Sequence, residues 1–331
     1  MKYKLSICIP TLNRGAFIGE TLKNIASQLN ANIEVVIVDG GSRDNTEEVV
    51  NSYQNLFENI KYIKREATQI KAPSNEGFDR DCNHAVELAE GEYCWLMTDD
   101  DIVMPGAVQR VLAEIEKSFA LIVASVGISN LDLSRTLVRR RPNLLRDKIY
   151  SPTEWNQFAA DLGIHLTFVG AVIVERQFWL SRNREKYFGT GFVHIGVIFD
   201  AKVQRDILII SDPLVKIRFG NAQWTDRAFK IWMFGWPELI WGFESISIEA
   251  KQAISPKEPW RDLKLLFLQR IHGGYSIRDY QKFLTTRLHS RWRRAFSIII
   301  SLLPRRLFLL PLVYVIHYVR HDLFVRRESE R

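Results

Sequence analysis

The 331-residue chain contains little cysteine, and none of it forms a C-x-x-C pair. The only cysteines are Cys8, Cys82 and Cys94, an odd number at wide spacing. A disulfide framework or a structural zinc site requires more thiols, placed closer together. The sequence therefore excludes a disulfide-stapled secreted fold and predicts a protein of a reducing compartment.

Long apolar runs, internal repeats and low-complexity tracts are also missing. The N-terminal segment 1–10 alternates like a strand and is too short for a signal peptide, so we expect no cleaved leader. Two apolar runs near the C-terminus, 296–303 and 307–319, fall short of the roughly 20 residues that span a bilayer. With 47% hydrophobic and 25% charged residues, the chain has the composition of a globular protein.

The charge of the chain is confined to its C-terminal part. The net charge is +7, and residues 287–331, with ten arginines and three acidic residues, account for all of it. A general nucleic-acid surface is therefore excluded, because residues 1–286 balance to zero. Since the two apolar runs lie among these arginines, we predict an amphipathic tail that lies on an anionic membrane surface. A buried helical hairpin and a homo-oligomer contact are the alternatives.

Strand and helix patterns alternate over the first 126 residues. The second strand is almost continuously apolar, which is typical of a parallel strand covered on both faces. This alternation predicts an α/β fold, with a doubly wound, mostly parallel sheet flanked by helices. The predicted strands cover residues 4–9, 34–38, 60–64, 93–97 and 121–126.

Polar residues follow three of these strands, at Thr11–Asn13, Asp39–Ser42 and Asp99–Asp101. Right-handed crossovers place the carboxyl ends of parallel strands at one edge of a sheet, so we expect the three segments to converge there. The three adjacent carboxylates of the last segment repel one another, and a cation among them lowers that cost. The pattern predicts a cleft for a polar ligand and a cation. Three independent solvated turns are the alternative.

The sequence beyond residue 126 is less regular. Residues 139–142, Arg-Arg-Arg-Pro, are predicted to form a basic loop that is solvated or meets an anionic acceptor. Ser151, Pro152 and Glu154 have the pattern of a capping box with proline in the first turn, which predicts a helix to about residue 162.

Three segments together resemble the signature series of family 2 glycosyltransferases of the GT-A fold. They are CIPTLNR (8–14), VVIVDGGSRDNTEEV (35–49) and SNEGFDRDCNHAVELAEGEYCWLMTDDD (74–101). A looser likeness, over residues 188–220, is to the abequosyltransferase type of O-antigen enzyme.

This resemblance implies a GT-A glycosyltransferase domain over residues 1–225. Its nucleotide-binding half would be 1–126 and its acceptor-side half 127–225. A helical, amphipathic C-terminal region, 226–331, would follow and carry the membrane-associating tail 287–331.

The resemblance also implies a nucleoside diphosphate sugar as donor. A UDP-sugar is predicted, and a CDP-sugar is the alternative that the abequosyltransferase likeness admits. Ion pairing with a neighbouring acid is the alternative role for Arg80. Gly40 and Asp81 depart from the family pattern, which often has Asp and Asn at these positions. The implied donor-binding residues are Pro10, Thr11, Asn13, Arg14, Asp39, Ser42, Asn75, Gly77, Arg80, Asp99, Asp100 and Arg218.

In such enzymes the carboxylates at 99–101 would hold Mg²⁺ or Mn²⁺. Oxygen ligands suit these hard cations, which neutralise a nucleoside diphosphate as it leaves. Asp101 is predicted to be the direct metal ligand and Asp99 the ribose or water-mediated partner. Asp100 would face the sugar or the solvent.

An inverting transfer needs a base that takes the proton of the acceptor hydroxyl. The predicted candidates are His194 and Asp200, with Glu175 as a further acid. Six residues apart on a helix, His194 and Asp200 would face directions about 120° apart and so would not share one role. A histidine that only packs and hydrogen-bonds is the alternative for His194.

The resemblance thus implies an inverting enzyme that transfers a sugar to a glycan on a polyprenyl diphosphate carrier. We expect it to act in bacterial surface polysaccharide synthesis, in the cytoplasm and peripherally bound to the inner face of the cell membrane. One rival is a nucleotidyltransferase, which would want a Gly-rich phosphate loop and a nearby lysine, and neither follows the first strand. The other is a membrane-associated sugar-nucleotide-binding scaffold without catalysis.

Overall fold

The computed structural model describes residues 2–66 and 75–304. The predicted apolar run 307–319 and most of the predicted tail 287–331 lie outside these residues. The chain divides into two compact units. Unit 1 contains residues 1–221 and 244–246, and unit 2 contains residues 222–243 and 247–331.

Unit 1 is built on a ten-stranded sheet. The strands are β1 (Tyr3–Thr11), β2 (Ile33–Asp39), β3 (Ile60–Lys64), β4 (Gly91–Leu96), β5 (Ile102–Val103), β6 (Leu121–Ser129), β7 (Thr136–Arg141), β8 (Lys148–Tyr150), β9 (Val172–Glu175) and β10 (Ile207–Arg218). Their order in the sheet is β3-β2-β1-β4-β9-β6-β10-β5, and in addition β7 pairs with β6 and β8 with β10. Six strands (β1, β2, β3, β4, β6 and β10) share one direction.

Helices cover the sheet and connect its parallel strands. They are α1 (Gly15–Ala26), α2 (Thr46–Gln54), α3 (Asn75–Leu88), α4 (Ala107–Ile115), α5 (Trp155–Leu162), α6 (Arg176–Leu180) and α7 (Val193–Phe199). The predicted α/β fold with a mostly parallel sheet is confirmed. The register pairs Thr11 with Asp39, and Cys8 with Leu96, so the ends of β1, β2 and β4 meet at one edge.

The core explains why these segments fold as they do. Residues 35–38 of β2 have no exposed surface, as the continuous apolar pattern predicted. Ile18, Leu22 and Ile25 recur at helical spacing and form the buried side of α1. Each such side chain contributes about 1.5–3 kcal/mol to folding stability when it is fully buried. The edge of the sheet is therefore held by a stable core.

Two predictions for the second half of unit 1 have different outcomes. The capping box is confirmed: the Ser151 N–H donates to Glu154 at 2.9 Å, and a 3-10 turn leads into α5, which ends at Leu162. The predicted basic loop at 139–142 is wrong, because residues 139–141 lie on strand β7. Pairing with β6 satisfies backbone groups there, and charged side chains are typical of such a short, outlying strand.

Unit 2 is helical. Its core consists of aromatic and aliphatic side chains, among them Phe229, Leu266, Tyr275 and Leu284. Among the described residues, no helix is both long enough and apolar enough to cross a membrane. The helices are α8 (Ala228–Lys230), α9 (Trp236–Gly242), α10 (Ile248–Ile254), α11 (Leu263–Ile271), α12 (Ile277–Asp279) and α13 (Arg291–Leu302), with π-helical turns at Ile231–Gly235 and Tyr280–Leu284.

Candidate active site

The acidic triplet Asp99–Asp101 directly follows β4 at the carboxyl edge of the sheet, and all three residues are buried. Burial, together with the neighbouring charge of Asp100, raises the pKa of Asp99 to about 7 and that of Asp101 to about 8. Like charges held together away from water favour either a proton or a cation between them.

Arg14 is the cation that the protein itself brings to the triplet. Its Nε lies 3.3 Å from Asp99 Oδ1, and its Nη2 lies 3.2 Å from Asp100 Oδ2. Its Nη1 donates to the backbone carbonyl of Asn221 at 3.1 Å, while the Asn221 amide donates to Asp100 Oδ2 at 2.6 Å. Arg14, implied by resemblance as a donor contact, therefore lies directly against the carboxylates.

Arg218, at the end of β10, holds the backbone of the triplet. Its N–H donates to Asp101 Oδ1 at 2.8 Å, and its Nε donates to the Asp100 carbonyl at 3.0 Å. The remaining guanidinium nitrogens donate to the Leu131 carbonyl at 2.6 Å and to Glu20 at 2.5 Å. The guanidinium is thus engaged by protein groups, and the structure supports a positioning role for Arg218.

The residues at the triplet fit a divalent cation. Three carboxylates outnumber the one guanidinium of Arg14, and their oxygens are the ligands that Mg²⁺ and Mn²⁺ prefer. Asp101 accepts from the Arg218 N–H and the Thr98 hydroxyl, which leaves each of its oxygens one lone pair. In residues 2–66 and 75–304 no three His, Cys, Asp or Glu side chains surround one point. A cation here would therefore also use phosphate or water oxygens.

The ends of β1 and β2 form an ordered loop pair beside the triplet. Asp39 Oδ1 accepts from the N–H groups of Gly41 at 2.8 Å and Ser42 at 2.6 Å, and its Oδ2 accepts from the Tyr62 hydroxyl at 2.6 Å. Ser42 Oγ accepts from the Asn13 N–H at 2.7 Å, so the two loops are joined. The structure brings these residues together with Pro10 and Thr11 at the end of β1.

Gly40 and Asp81, the two departures from the family pattern, meet in space. A Cβ atom added at Gly40 would lie 2.8 Å from Asp81 Oδ2. Asp81 is held by an ion pair with Arg65, at 2.6 Å, and the Arg65 N–H donates to the Asp39 carbonyl at 2.9 Å. A carboxylate from α3 thus occupies the space into which a side chain at position 40 would point.

The start of α3 pairs within itself. Helix α3 begins at Asn75, so Arg80 lies in its second turn. Arg80 pairs with Glu76 at 2.9 Å and lies 4.8 Å from the centre of the Phe188 ring. This is the alternative in which Arg80 pairs with a neighbouring acid. Asn75 donates to the Thr190 carbonyl at 3.3 Å, and Gly77 lies in the first turn.

Asp79 is a residue whose role the sequence did not reveal. Its carboxylate accepts from the N–H groups of Gly189 at 2.9 Å, Gly191 at 2.8 Å and Val193 at 2.9 Å. Both glycines have positive φ, 92° and 78°, which favours glycine. Burial raises the pKa of Asp79 to about 7, against these donors. The signal was present in the Gly-x-Gly pattern before α7, but its partner is over 100 residues away.

The predicted bases lie at opposite ends of α7. His194, in the first turn, is fully buried, and its Nε2 lies 3.1 Å from the Leu166 carbonyl. Burial lowers its pKa to about 4, so the imidazole is neutral, and among the described groups its Nδ1 has no hydrogen-bond partner. Asp200 follows the last turn and accepts from the Tyr187 hydroxyl at 2.6 Å.

The further candidate, Glu175, lies at the other edge of the sheet. It pairs across the strands with Tyr93, near the start of β4, whereas the triplet follows the end of β4. Its carboxylate forms an ion pair with Arg205. The structure therefore does not bring Glu175 to the cleft.

Comparison with known sequences decides the family. The profile of the family described as glycosyl transferase family 2 matches residues 6–176, more than half of the chain. The chain belongs to glycosyl transferase family 2. This family 2 glycosyltransferase is similar to an abequosyltransferase of Salmonella typhimurium, with 25% identity over 276 residues, which are 77% of this chain and 81% of that protein.

A second relative matches over a shorter segment. It is the GalNAc(5)-diNAcBac-PP-undecaprenol beta-1,3-glucosyltransferase of Campylobacter jejuni, with 27% identity over 117 residues, 35% of this chain and 36% of that protein. The match lies within about a third of each protein. The predicted membership of family 2, with its abequosyltransferase likeness, is confirmed.

Solved structures show the same fold. S. aureus TarS 1–349 in complex with UDP-GlcNAc has a TM-score of 0.54 and 16% identity, covering 89% of this chain and 79% of that one. The complex of the same protein with UDP has a TM-score of 0.55 and 15% identity, covering 90% of this chain and 89% of that one. The predicted GT-A fold of the glycosyltransferase is confirmed.

Proposed function

We propose that this family 2 glycosyltransferase is an inverting, metal-dependent enzyme that uses a nucleoside diphosphate sugar. The observation that carries the proposal is the buried acidic triplet, which holds more negative charge than Arg14 neutralises, at the edge where β1, β2 and β4 end. TarS, a protein of the same fold, has been crystallised with UDP and with UDP-GlcNAc, which supports a UDP-sugar over a CDP-sugar as donor.

In this proposal the loops after β1 and β2 receive the nucleoside. The Asp39 carboxylate is already fixed by two N–H groups and the Tyr62 hydroxyl, so a nucleobase that donates to its one remaining lone pair, on Oδ2, meets a rigid acceptor. A rigid site costs less entropy on binding than one that must be ordered by the ligand. The residues assigned to the donor are Pro10, Thr11, Asn13, Arg14, Asp39, Ser42, Asn75, Gly77, Arg80, Asp99 and Asp100, with Arg218 positioning the triplet.

Asp101 and Asp99 would hold the divalent cation, Mg²⁺ or Mn²⁺. When bound, such an ion neutralises the charge of the departing nucleoside diphosphate. The protein prepares this position, because Arg218 and Thr98 each donate to one oxygen of Asp101 and fix the direction of its carboxylate. Arg14 and Asn221 fix Asp100 in the same way.

Of the two predicted bases, we favour His194 over Asp200. His194 lies at the end of α7 that Asp79 ties to α3, and among the described groups its Nδ1 has no hydrogen-bond partner, so this nitrogen has a lone pair that can accept a proton. Asp200 lies at the far end of α7 and is bound to Tyr187. His194→Gln should lower kcat by about 10²-fold or more, the usual contribution of a general base, while Asp200→Asn should change it far less.

The acceptor in this proposal is a glycan on a polyprenyl diphosphate, in bacterial surface polysaccharide synthesis of the O-antigen type. Two relatives support it by name: one is an abequosyltransferase, and the other acts on a glycan that is linked to undecaprenol. Such an acceptor lies in a membrane, so we propose that the enzyme works peripherally bound to the inner face of the cell membrane.

A nucleotide panel tests the donor and the metal. We expect UDP with Mn²⁺ to raise the melting temperature more than CDP with Mn²⁺ or UDP alone, because a ligand that binds only the folded state stabilises it. Asp101→Asn should abolish both the Mn²⁺-dependent part of the shift and sugar transfer. The matched control is Asp212→Asn, an exposed carboxylate. A nucleotide shift without transfer from any donor would instead identify a non-catalytic binding protein.

A further inference from the structure

Helix α13 of unit 2 presents an apolar stripe to its surroundings. Trp292, Phe296, Ile299 and Leu302 are 54%, 51%, 55% and 61% exposed. At 100° per residue these four side chains fall within an arc of about 120° on one side of the helix. Single exposed apolar side chains are ordinary, but four on one helix face form a patch of the kind that marks an interaction surface.

The opposite side of α13 is packed against unit 2, so the stripe is not simply a misplaced core face. Ser297 and Ser301 are buried, and the Tyr275 hydroxyl donates to the Ser297 carbonyl at 3.1 Å. Arg270 donates to the Leu303 carbonyl at 2.9 Å and closes the end of the helix. Ile300 and two small serines therefore face inward, while four large apolar side chains face outward, where an ordinary surface helix carries polar residues.

The charges beside the stripe favour one kind of partner. Arg291 and Arg293 lie on the two flanks of the arc, and α13 has no acidic residue. Arg293 lies 5.1 Å from the Trp292 ring centre. Arginines bury their stems beside apolar surface and keep the guanidinium in a polar layer, which suits phosphate headgroups above acyl chains. Residues 287–331 also hold the whole net charge of the chain, +7.

We propose that this outward face of α13, defined by Trp292, Phe296, Ile299 and Leu302, docks on the surface of an anionic lipid bilayer. The four apolar side chains enter the boundary between headgroups and acyl chains, and the flanking arginines contact lipid phosphates. The inference deepens the proposed function, because a lipid-linked acceptor requires the enzyme to work at such a surface. It assigns the contact to a described helix rather than to the tail as a whole.

Vesicle flotation of the full chain tests the face. The protein should float with vesicles of phosphatidylcholine and phosphatidylglycerol, and much less with phosphatidylcholine alone or at high salt. Phe296→Glu should reduce the bound fraction by at least about tenfold, because a carboxylate replaces an inserted ring beside anionic lipid. The matched control, Leu145→Glu, alters a leucine of unit 1 that is 93% exposed, and its binding should equal that of the unaltered protein.

Trp292 gives a direct measure of insertion. Lipids brominated near the headgroup should quench part of the tryptophan fluorescence of bound protein, and Trp292→Phe should remove that part while retaining binding. Loss of flotation for Phe296→Glu with an unchanged melting temperature supports the proposal, and Leu302→Glu provides a second variant at the same face.

Three results would overturn the assignment. They are flotation of Phe296→Glu at the level of the unaltered protein, the absence of Trp292 quenching in bound protein, and conversion of a lipid-free dimer into monomers by Phe296→Glu, which would identify a face between copies. The stabilisation by UDP with Mn²⁺ should survive in Phe296→Glu. If UDP with Mn²⁺ did not stabilise even the unaltered protein, that result would count against the proposed function, and not against the docking face.

Discussion

Two of the places where unit 1 buries carboxylates, Asp79 and the triplet Asp99–Asp101, surround them with different groups. Asp79 receives three backbone N–H groups, two from the segment before α7 and one from its first residue, so the groups that oppose the cost of its burial are fixed dipoles. The triplet Asp99–Asp101 has one N–H group, one guanidinium shared between two carboxylates, and the Thr98 and Asn221 side chains. The first arrangement is closed, and the second keeps an excess of negative charge.

Under the proposed function, the difference separates a structural acid from one that binds a ligand. A buried carboxylate whose oxygens accept several N–H bonds has little to gain from a further cation. Carboxylates that repel one another lower the stability of the folded protein. A cation that binds between them in the folded state restores this stability. Burial alone therefore does not distinguish the two sites, and the balance of neighbouring charge does.

The largest expected effect is at the closed site. Asp79→Ala should lower the free energy of unfolding by about 3–5 kcal/mol, because three buried N–H groups lose their acceptor. Urea unfolding measures the change. Asp79→Asn should cost less, since one acceptor oxygen remains, whereas Asp99→Asn in the metal-free protein should be neutral or stabilising because it relieves repulsion. Equal losses at positions 79 and 99 would erase the distinction between the two sites.

A buried base extends the comparison to pH. Burial lowers the pKa of His165 to about 3, and its Nε2 lies 2.9 Å from the Ala124 carbonyl. The unfolded state binds the proton first, so this contribution to stability is complete above pH 6.5 and is lost as the pH falls toward 3. At pH 4 the loss is on the order of 3 kcal/mol.

The buried carboxyl groups with raised pKa values make the folded state more stable as the pH falls, which opposes the effect of His165. The effect of His165 must therefore be measured as the difference between the unaltered protein and a variant. Unfolding free energies of the unaltered protein and His165→Gln should diverge with pH, the variant losing less between pH 7 and pH 4. Parallel curves would show that His165 does not carry the effect.

A smaller effect is expected where Gly40 faces Asp81. Gly40→Asp should destabilise the protein by about 2 kcal/mol, because its Cβ would lie 2.8 Å from the Asp81 carboxylate and its charge would be added there. The double variant Gly40→Asp with Asp81→Asn should recover most of this loss in thermal unfolding. Additive losses in the double variant would mean that the two positions are independent.

The smallest effect concerns the open site. Arg14 lies 3.3 Å from Asp99 and 3.2 Å from Asp100, so a divalent cation must share these carboxylates with it. Arg14→Gln should bind Mn²⁺ alone several-fold more tightly, as measured by the paramagnetic signal of free Mn²⁺. Weaker binding would show that Arg14 holds the carboxylates in place for the metal. Arg43→Gln, beside the same loop but exposed, is the control.

The sequence predicted the sheet and its polar edge because both depend on patterns that are local in the chain. Continuous apolar strands and the polar residues after them are visible within a few positions, and Asp39 and Asp99 were found in this way. The hydrogen bonds of Asp79 and the Arg65–Asp81 ion pair could not be predicted in this way, because they join residues that only the folded chain brings together. The exposure of the apolar side of α13 also depends on packing. Amphipathic spacing in the sequence does not show which face of a helix the rest of the protein covers.

Residues 244–246 belong to unit 1, although the residues on both sides of them belong to unit 2. This affects how unit 2 could be replaced by the corresponding part of a relative. Ser245 belongs to unit 1: its carbonyl accepts from Trp155 Nε1 at 2.8 Å, and its hydroxyl donates to the Phe199 carbonyl. A chimaera spliced once, after Asn221, would leave that indole and carbonyl without these partners. A graft of unit 2 from a relative must therefore replace residues 222–243 and 247–331 and keep residues 244–246 of this protein between them.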